Sequence, residues 1–255
     1  MTPSILTAHR LLKSYDRAPA PALDEVSIQV AAGESVAIMG PSGSGKTTLL
    51  HALAGIVPVD AGQVTFHGPT GAVEVSSLSE SRRSALRRDH FGFVFQQGLL
   101  IPELTAVENV SLPLLLAGYR RQDAESRAAS WLDALGLAGM GGRRIGELSG
   151  GQAQRVAIAR AQVTGASIVF ADEPTGALDS ATSVEVLDAL LGSTVGQGRT
   201  LVVVTHDEDV AARCARIVRL RDGRIRDDSA PRGAAATGGP RFAGAGWSAD
   251  EDGSL

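Results

Sequence analysis

The residues best suited to chemistry in this chain fall into three short stretches, the first being Gly40, Pro41, Ser42, Gly43, Ser44, Gly45, Lys46, Thr47 and Thr48. Its glycines let successive backbone N–H groups converge on phosphate oxygens, Lys46 can reach the β and γ phosphates, and the Thr47 hydroxyl can bind magnesium. Only Lys13 and Lys46 are lysines in a chain that otherwise uses arginine for positive charge. A retained lysine points to a site needing a compact point charge on a thin stem. The second stretch ends an apolar run, Ser167-Ile-Val-Phe-Ala, in the adjacent carboxylates Asp172 and Glu173. Two carboxylates there are costly unless they have a cation or a task. Beside a phosphate loop, the first supports magnesium and the second orients and deprotonates an attacking water. The third stretch is Leu-Ser-Gly-Gly-Gln at 148–152. Ser149 can cap a helix starting near Gly151 whose N–H groups then meet an anion, while Ala153, Ala157 and Ala161 allow close packing.

These residues need rigid elements to hold them. Strands are expected over 4–9 and over 26–38, the latter broken by the turn Ala-Ala-Gly-Glu, and a helix over 47–56 with apolar residues at Leu49, Leu50, Leu53 and Ala54. The phosphate loop therefore joins a buried strand to a helix. Residues 62–75 read as a hairpin, Ser77 and Glu80 as a capping box opening a short basic helix, and 91–95 as a strand. Thr105 and Glu108 make a second capping box, with Pro113 expected to kink or end its helix. A stripe from Ala124 through Trp131 to Leu135 marks another helix, stopped at Gly136, so that 100–150 reads as a helical insert. Strand and helix then alternate: 167–171, a helix capped by Thr182 and Glu185, 200–205, a helix near 207–214, and a closing hairpin at Asp222 and Gly223. Such alternation implies an α/β fold with a mostly parallel sheet. The domain is expected over 1–228, and 229–255, rich in glycine and alanine, is expected to be disordered.

Composition narrows the function. A length of 255 residues permits a sizeable core, and a net charge of −4 argues against a basic nucleic-acid binder, so no nucleic-acid partner is expected. One cysteine, Cys214, excludes an intramolecular disulfide framework and a four-cysteine metal site. No stretch approaches the ~18 continuous apolar residues of a membrane span.

With these motifs in this order, residues 4–228 resemble an ABC-type (ATP-binding cassette) ATPase. The resemblance implies a phosphate-loop fold with a mostly parallel central sheet, an antiparallel β subdomain and a helical insert. It implies ATP and Mg2+ as ligands, the metal on Thr47, Gln96 and Asp172, and catalysis by Lys46, Glu173, Gln96 and His206. Tyr15 stands where the family stacks the adenine, and Gln96 where a glutamine touches magnesium and the attacking water, with Gln97 beside it as an alternative. Residues 177–179 look like the loop crossing a dimer interface, and His206 like the histidine that contacts the γ phosphate. Ser149, Gly150, Gly151 and Gln152 would close on the nucleotide of a second copy in a head-to-tail homodimer. Ala153 and Gln162 depart from the commoner glutamine and leucine. The stretch from Phe91 to Gly118 is similar to the lipoprotein-release, macrolide-export and antimicrobial-peptide-resistance branch, whose work passes through a separate membrane permease. That implies a peripheral location on the cytoplasmic face of the cell membrane. The same motifs would serve an ATP-dependent switch that signals to a membrane partner and moves no solute. A soluble cassette of DNA repair or translation would need a coiled-coil insertion or a second cassette, and neither is present. Surplus leucines and valines over 96–116 are expected to dock a permease helix, through whichever of Leu100, Leu104 and Val107 are exposed.

Overall fold

The computed structural model describes residues 3–16, 20–96 and 98–229. Gln97 and the tail from 230 onward, with Phe242 and Trp247, lie outside them. Ser229, expected to begin the tail, instead closes the last hairpin: its N–H donates to the Ile217 carbonyl and its hydroxyl accepts from the Ile217 N–H.

Two sheets organise the chain. The central one has the order β10-β9-β3-β8-β7-β6, made from β3 (Ser35–Met39), β6 (Phe91–Phe95), β7 (Ile168–Asp172), β8 (Thr200–Val204), β9 (Arg216–Arg221) and β10 (Arg224–Asp228). All its pairings are parallel except β9 with β10. The other sheet is antiparallel, order β2-β1-β4-β5, from β1 (Ser4–Lys13), β2 (Leu23–Ala31), β4 (Ala61–Gly68) and β5 (Gly71–Glu74). The Ala-Ala-Gly-Glu turn thus joins no hairpin, since β2 and β3 on its two sides belong to different sheets.

The period of two along the central strands sorts side chains into two cores. Val36, Ile38, Phe170, Val202 and Val204 face the antiparallel sheet and α1 (Lys46–Leu53). Ala37, Val169, Ala171, Leu201 and Val203 face the opposite helices. Those helices include α3 (Ala106–Leu116), α4 (Arg121–Ala134), α5 (Gly150–Gln162) and α6 (Ser180–Ser193). Strands β3, β7 and β8 are therefore apolar on both faces, as strands covered on both sides require, whereas β10 at the sheet edge is exposed.

Helix starts follow local hydrogen bonding. At α3 the expected box is made, Thr105 accepting from the Glu108 N–H while Glu108 accepts from the Thr105 N–H. Pro113 does not end that helix, which runs on to Leu116. Two expected caps are corrected. The basic helix α2 (Glu80–His90) is flanked by Ser79, with no side-chain cap, so Ser77 and Glu80 form no box. Glu80 instead turns to Arg87 and Arg83, whose hydrogen bonds hold its carboxyl down to about 2. Helix α6 is capped by Asp179, whose carboxylate accepts from the Thr182 N–H, so Thr182 and Glu185 lie inside the helix. A short α7 (Glu208–Ala212) completes the helices used below.

Candidate functional site

Parallel strands offer their carboxyl ends as a binding edge. Four of them converge here: β3 runs into the phosphate loop, β6 into Gln96, β7 into Asp172 and Glu173, and β8 into Thr205 and His206. Close approach explains the loop's glycines. A Cβ on Gly45 would lie 2.1 Å from the Ala22 carbonyl oxygen, and one on Gly40 would lie 2.1 Å from that of Leu220. Gly45 is the N-cap of α1 in the left-handed region, at φ 99°, and offers no side-chain acceptor. The N–H groups of the first turn, Lys46, Thr47 and Thr48, therefore keep their donors for an anion. Beside them the buried Ser44 hydroxyl has no hydrogen-bond partner among the described residues. Lys46 Nζ donates to the carbonyls of Gly40 at 2.8 Å and Pro41 at 2.9 Å, which places the ammonium against the loop. Pro41, Ser42 and Gly43 form the exposed or open side, where a Cβ on Gly43 would meet nothing within 4 Å.

The acidic pair divides its work by geometry. Asp172 Oδ1 accepts from the Thr47 hydroxyl at 3.3 Å. Burial pushes the Asp172 carboxyl up, against the Thr47 bond and the charges of His51 and Lys46. Among the described residues no ion pair neutralises it, which is the environment a divalent cation relieves. Glu173 sits in the left-handed region at φ 47°, a strained conformation for a residue with a side chain. Its N–H bonds the Val204 carbonyl at 2.9 Å, and its Oε1 meets His206 Nδ1 at 2.8 Å. The Gln96 side chain lies against the same turn, its Nε2 3.1 Å from where a Cβ on Gly176 would be. Lys46, Thr47, Gln96, Asp172, Glu173 and His206 thus share one edge of the sheet.

The residues of 149–152 do not join them. Ser149 accepts from the Gln152 N–H and Gln152 Oε1 accepts from the Ser149 N–H, so this helix start is capped by its own side chains. The cap expected of Ser149 is thus made, at the Gln152 N–H. Gly151 is buried, and a Cβ on it would lie 2.3 Å from the Thr182 methyl. Ser149 and Gly150 are exposed, and among the described residues none of their hydrogen bonds reaches the phosphate loop. Tyr15 is exposed by 45 %, beyond the end of β1.

One neighbour escaped sequence reasoning. His51, one helical turn after Thr47, is half-buried; burial pushes its imidazole below the usual range, while the Asp172 charge opposes that. The spacing of four from Thr47 on a helix was the available signal.

A glycine cradle at a strand-to-helix turn, with a hydroxyl, an acidic pair and a histidine at neighbouring strand ends, defines a phosphate-loop nucleoside triphosphatase. The family model described as ABC transporter matches residues 23–176. The macrolide export ATP-binding/permease protein of Sodalis glossinidius is 45 % identical over 231 residues, covering 90 % of this chain and 35 % of that protein. The pyoverdine export ATP-binding/permease protein of Pseudomonas fluorescens is 43 % identical over 233 residues, with coverages of 90 % and 35 %. The chain therefore spans about a third of the length of these curated relatives. A dimeric ATP-binding cassette solved in a post-hydrolysis state with ADP and phosphate superposes with a TM-score of 0.77 at 38 % identity, covering 88 % of this chain and 97 % of that one. The chain belongs to the ABC transporter family, as one of its ATPase cassettes.

Proposed function

We propose that two copies of this chain pair head to tail around two molecules of magnesium-bound ATP, hydrolyse them, and pass the resulting motion to a membrane permease at the cytoplasmic face of the membrane. The observation that carries the catalytic part is the Glu173–His206 contact of 2.8 Å beside the phosphate cradle. In this reading Tyr15 stacks on the adenine, and residues 40–48 surround the phosphates with Lys46 as the neutralising charge. Thr47, Gln96 and Asp172 hold magnesium, which when bound offsets the negative charge of the phosphates. Glu173 accepts a proton from the water whose oxygen attacks the γ phosphorus, and the β–γ bridging oxygen leaves with ADP. His206 fixes the Glu173 carboxylate and faces the γ phosphate. Ser149, Gly150, Gly151 and Gln152 of the second copy complete the site. Glu173→Gln keeps the shape of the side chain and removes its basicity. Steady-state turnover should fall by roughly 10² to 10⁴ with ATP still bound, and wild-type turnover would refute the assignment of the base.

The permease part rests on a groove of about 400 Å³ between β6, α2, α3 and α5, lined by Phe91, Phe93, Phe95, Leu112, Pro113 and Leu116. It lies on the segment that leads from the site at Gln96 to Leu116, so an occupant is placed to feel the state of Gln96. Leu100, Leu104 and Val107, sought as exposed docking residues, are all half-buried, and Leu100 and Val107 pack against the helical core. Leu99, Ile101, Leu115 and Leu116 are the exposed apolar residues of this segment. Leu116→Asp should weaken co-purification with the permease by about five- to tenfold, the loss of one partly buried leucine, while basal ATPase activity stays unchanged. Undiminished association would move the docking site elsewhere.

A further inference from the structure

Of the two lysines, Lys46 belongs to the phosphate cradle, and Lys13 stands apart from it at the end of β1. Lys13 is the last residue of β1, and its side chain is mostly covered by its surroundings, with the ammonium in an ion pair with Asp60 at 2.8 Å. The second oxygen of the same carboxylate accepts from the Ser14 N–H at 2.7 Å. Asp60 is itself tied to the strand, its N–H donating to the Leu12 carbonyl at 2.8 Å. The ammonium held this way lies over the ring of Tyr15, 5.5 Å from its centroid. The strand end also abuts the phosphate loop: the Lys13 carbonyl accepts from the Ala22 N–H, and the Ala22 carbonyl oxygen is the atom that excludes a Cβ from Gly45.

We infer that Lys13, clamped by Asp60, is a positioning residue that holds the Tyr15 ring for the base of a nucleotide whose phosphates lie in the 40–48 cradle. The inference rests on the reading that Tyr15 stacks on that base. A half-exposed ring past the end of a strand is free to rotate, and ordering it on binding costs affinity. A cation fixed over one face restrains the ring in advance, and the remaining face is left for a planar partner. The hydrogen bonds from Lys13 and Ser14 also hold the Asp60 carboxyl below its ordinary value, so the clamp stays charged at neutral pH. Lys13 does not touch the phosphates in this arrangement; its effect passes through the aromatic ring.

The test compares calorimetric affinities of the full chain for ATP and for inorganic tripolyphosphate, which has phosphates and no base. Lys13→Met should weaken ATP by about two- to fivefold, the scale of an exposed cation–π contact, and leave tripolyphosphate unchanged. Turnover at saturating ATP should stay at the wild-type value while KM rises, and Lys13→Arg should restore both. On a Tyr15→Ala background Lys13→Met should have no further effect, since the two act as one unit. Asp60→Asn, which keeps the shape of the side chain, should show the same base-specific loss and serves if the lysine variant fails to fold. Equal weakening of tripolyphosphate, full additivity with Tyr15→Ala, or unchanged ATP affinity in Lys13→Met would each overturn the inference. If Tyr15→Ala alone binds ATP like the wild type, the stacking reading falls and the inference with it. Weakened ATP in Tyr15→Ala with none in Lys13→Met removes the inference alone.

Discussion

Helices α1 and α5 begin with the same kinds of residue, serine and glycine ahead of a polar side chain, and use them in opposite ways. The start of α1 is left open. Gly45 offers no capping oxygen, and the carbonyls of Ala22 and Leu220 press so closely on Gly45 and Gly40 that only glycine fits. The start of α5 is closed by the reciprocal bonds of Ser149 and Gln152, and Gly151 is spent on packing against Thr182 at the head of α6. An open helix start with a lysine beside it is a receptor for phosphate within its own chain. A self-capped one on the surface is a rigid face for something brought to it. In the function proposed above, that difference is why one copy would hold only part of the site.

Substitutions that treat the two ends differently sharpen this contrast. The largest effect is expected at the open end, where Lys46→Ala removes a charge facing the phosphates. ATP affinity by calorimetry should fall about 10- to 100-fold, the scale of a charge-assisted hydrogen bond, with the melting temperature little changed. Unchanged affinity would mean that the cradle does not take the phosphates. At the closed end Gly151→Ala should act on stability. Its methyl would meet that of Thr182, whose rotamer is fixed by the bond from its hydroxyl to Asp179. Overpacking of this kind costs about 1–3 kcal/mol, measurable by denaturant unfolding, whereas ATP binding to the single chain should be spared. A neutral result would show that α6 can retreat from α5.

What could be read in advance follows the range of the forces involved. The phosphate loop, the capping box at Thr105 and the strand-end carboxylates are legible because each is decided within a few residues. The pattern of serine or threonine followed by glutamate misled at Thr182, because Asp179 three residues earlier had already started the helix. It misled at Ser77 because Glu80 finds arginines on its own helix. Pairings across the chain were out of reach: that β2 and β3 part into different sheets, that Asp60 reaches Lys13, and that His51 looks toward Asp172. The positive φ of Glu173 was likewise invisible, since glutamate has no preference for that conformation and the fold imposes it.

In the proposed dimer the exposed, self-capped start of α5 completes the open cradle of a second copy when ATP lies between them. Light scattering on size-exclusion-separated Glu173→Gln protein, with ATP and then with ADP, tests it most directly, because slowed hydrolysis holds the nucleotide in place. A dimer is expected with ATP that separates into single chains with ADP, and that fails to form when Ser149→Arg places a bulky cation on the closing face. A chain that binds ATP and remains a monomer at concentrations where it hydrolyses ATP would contradict it.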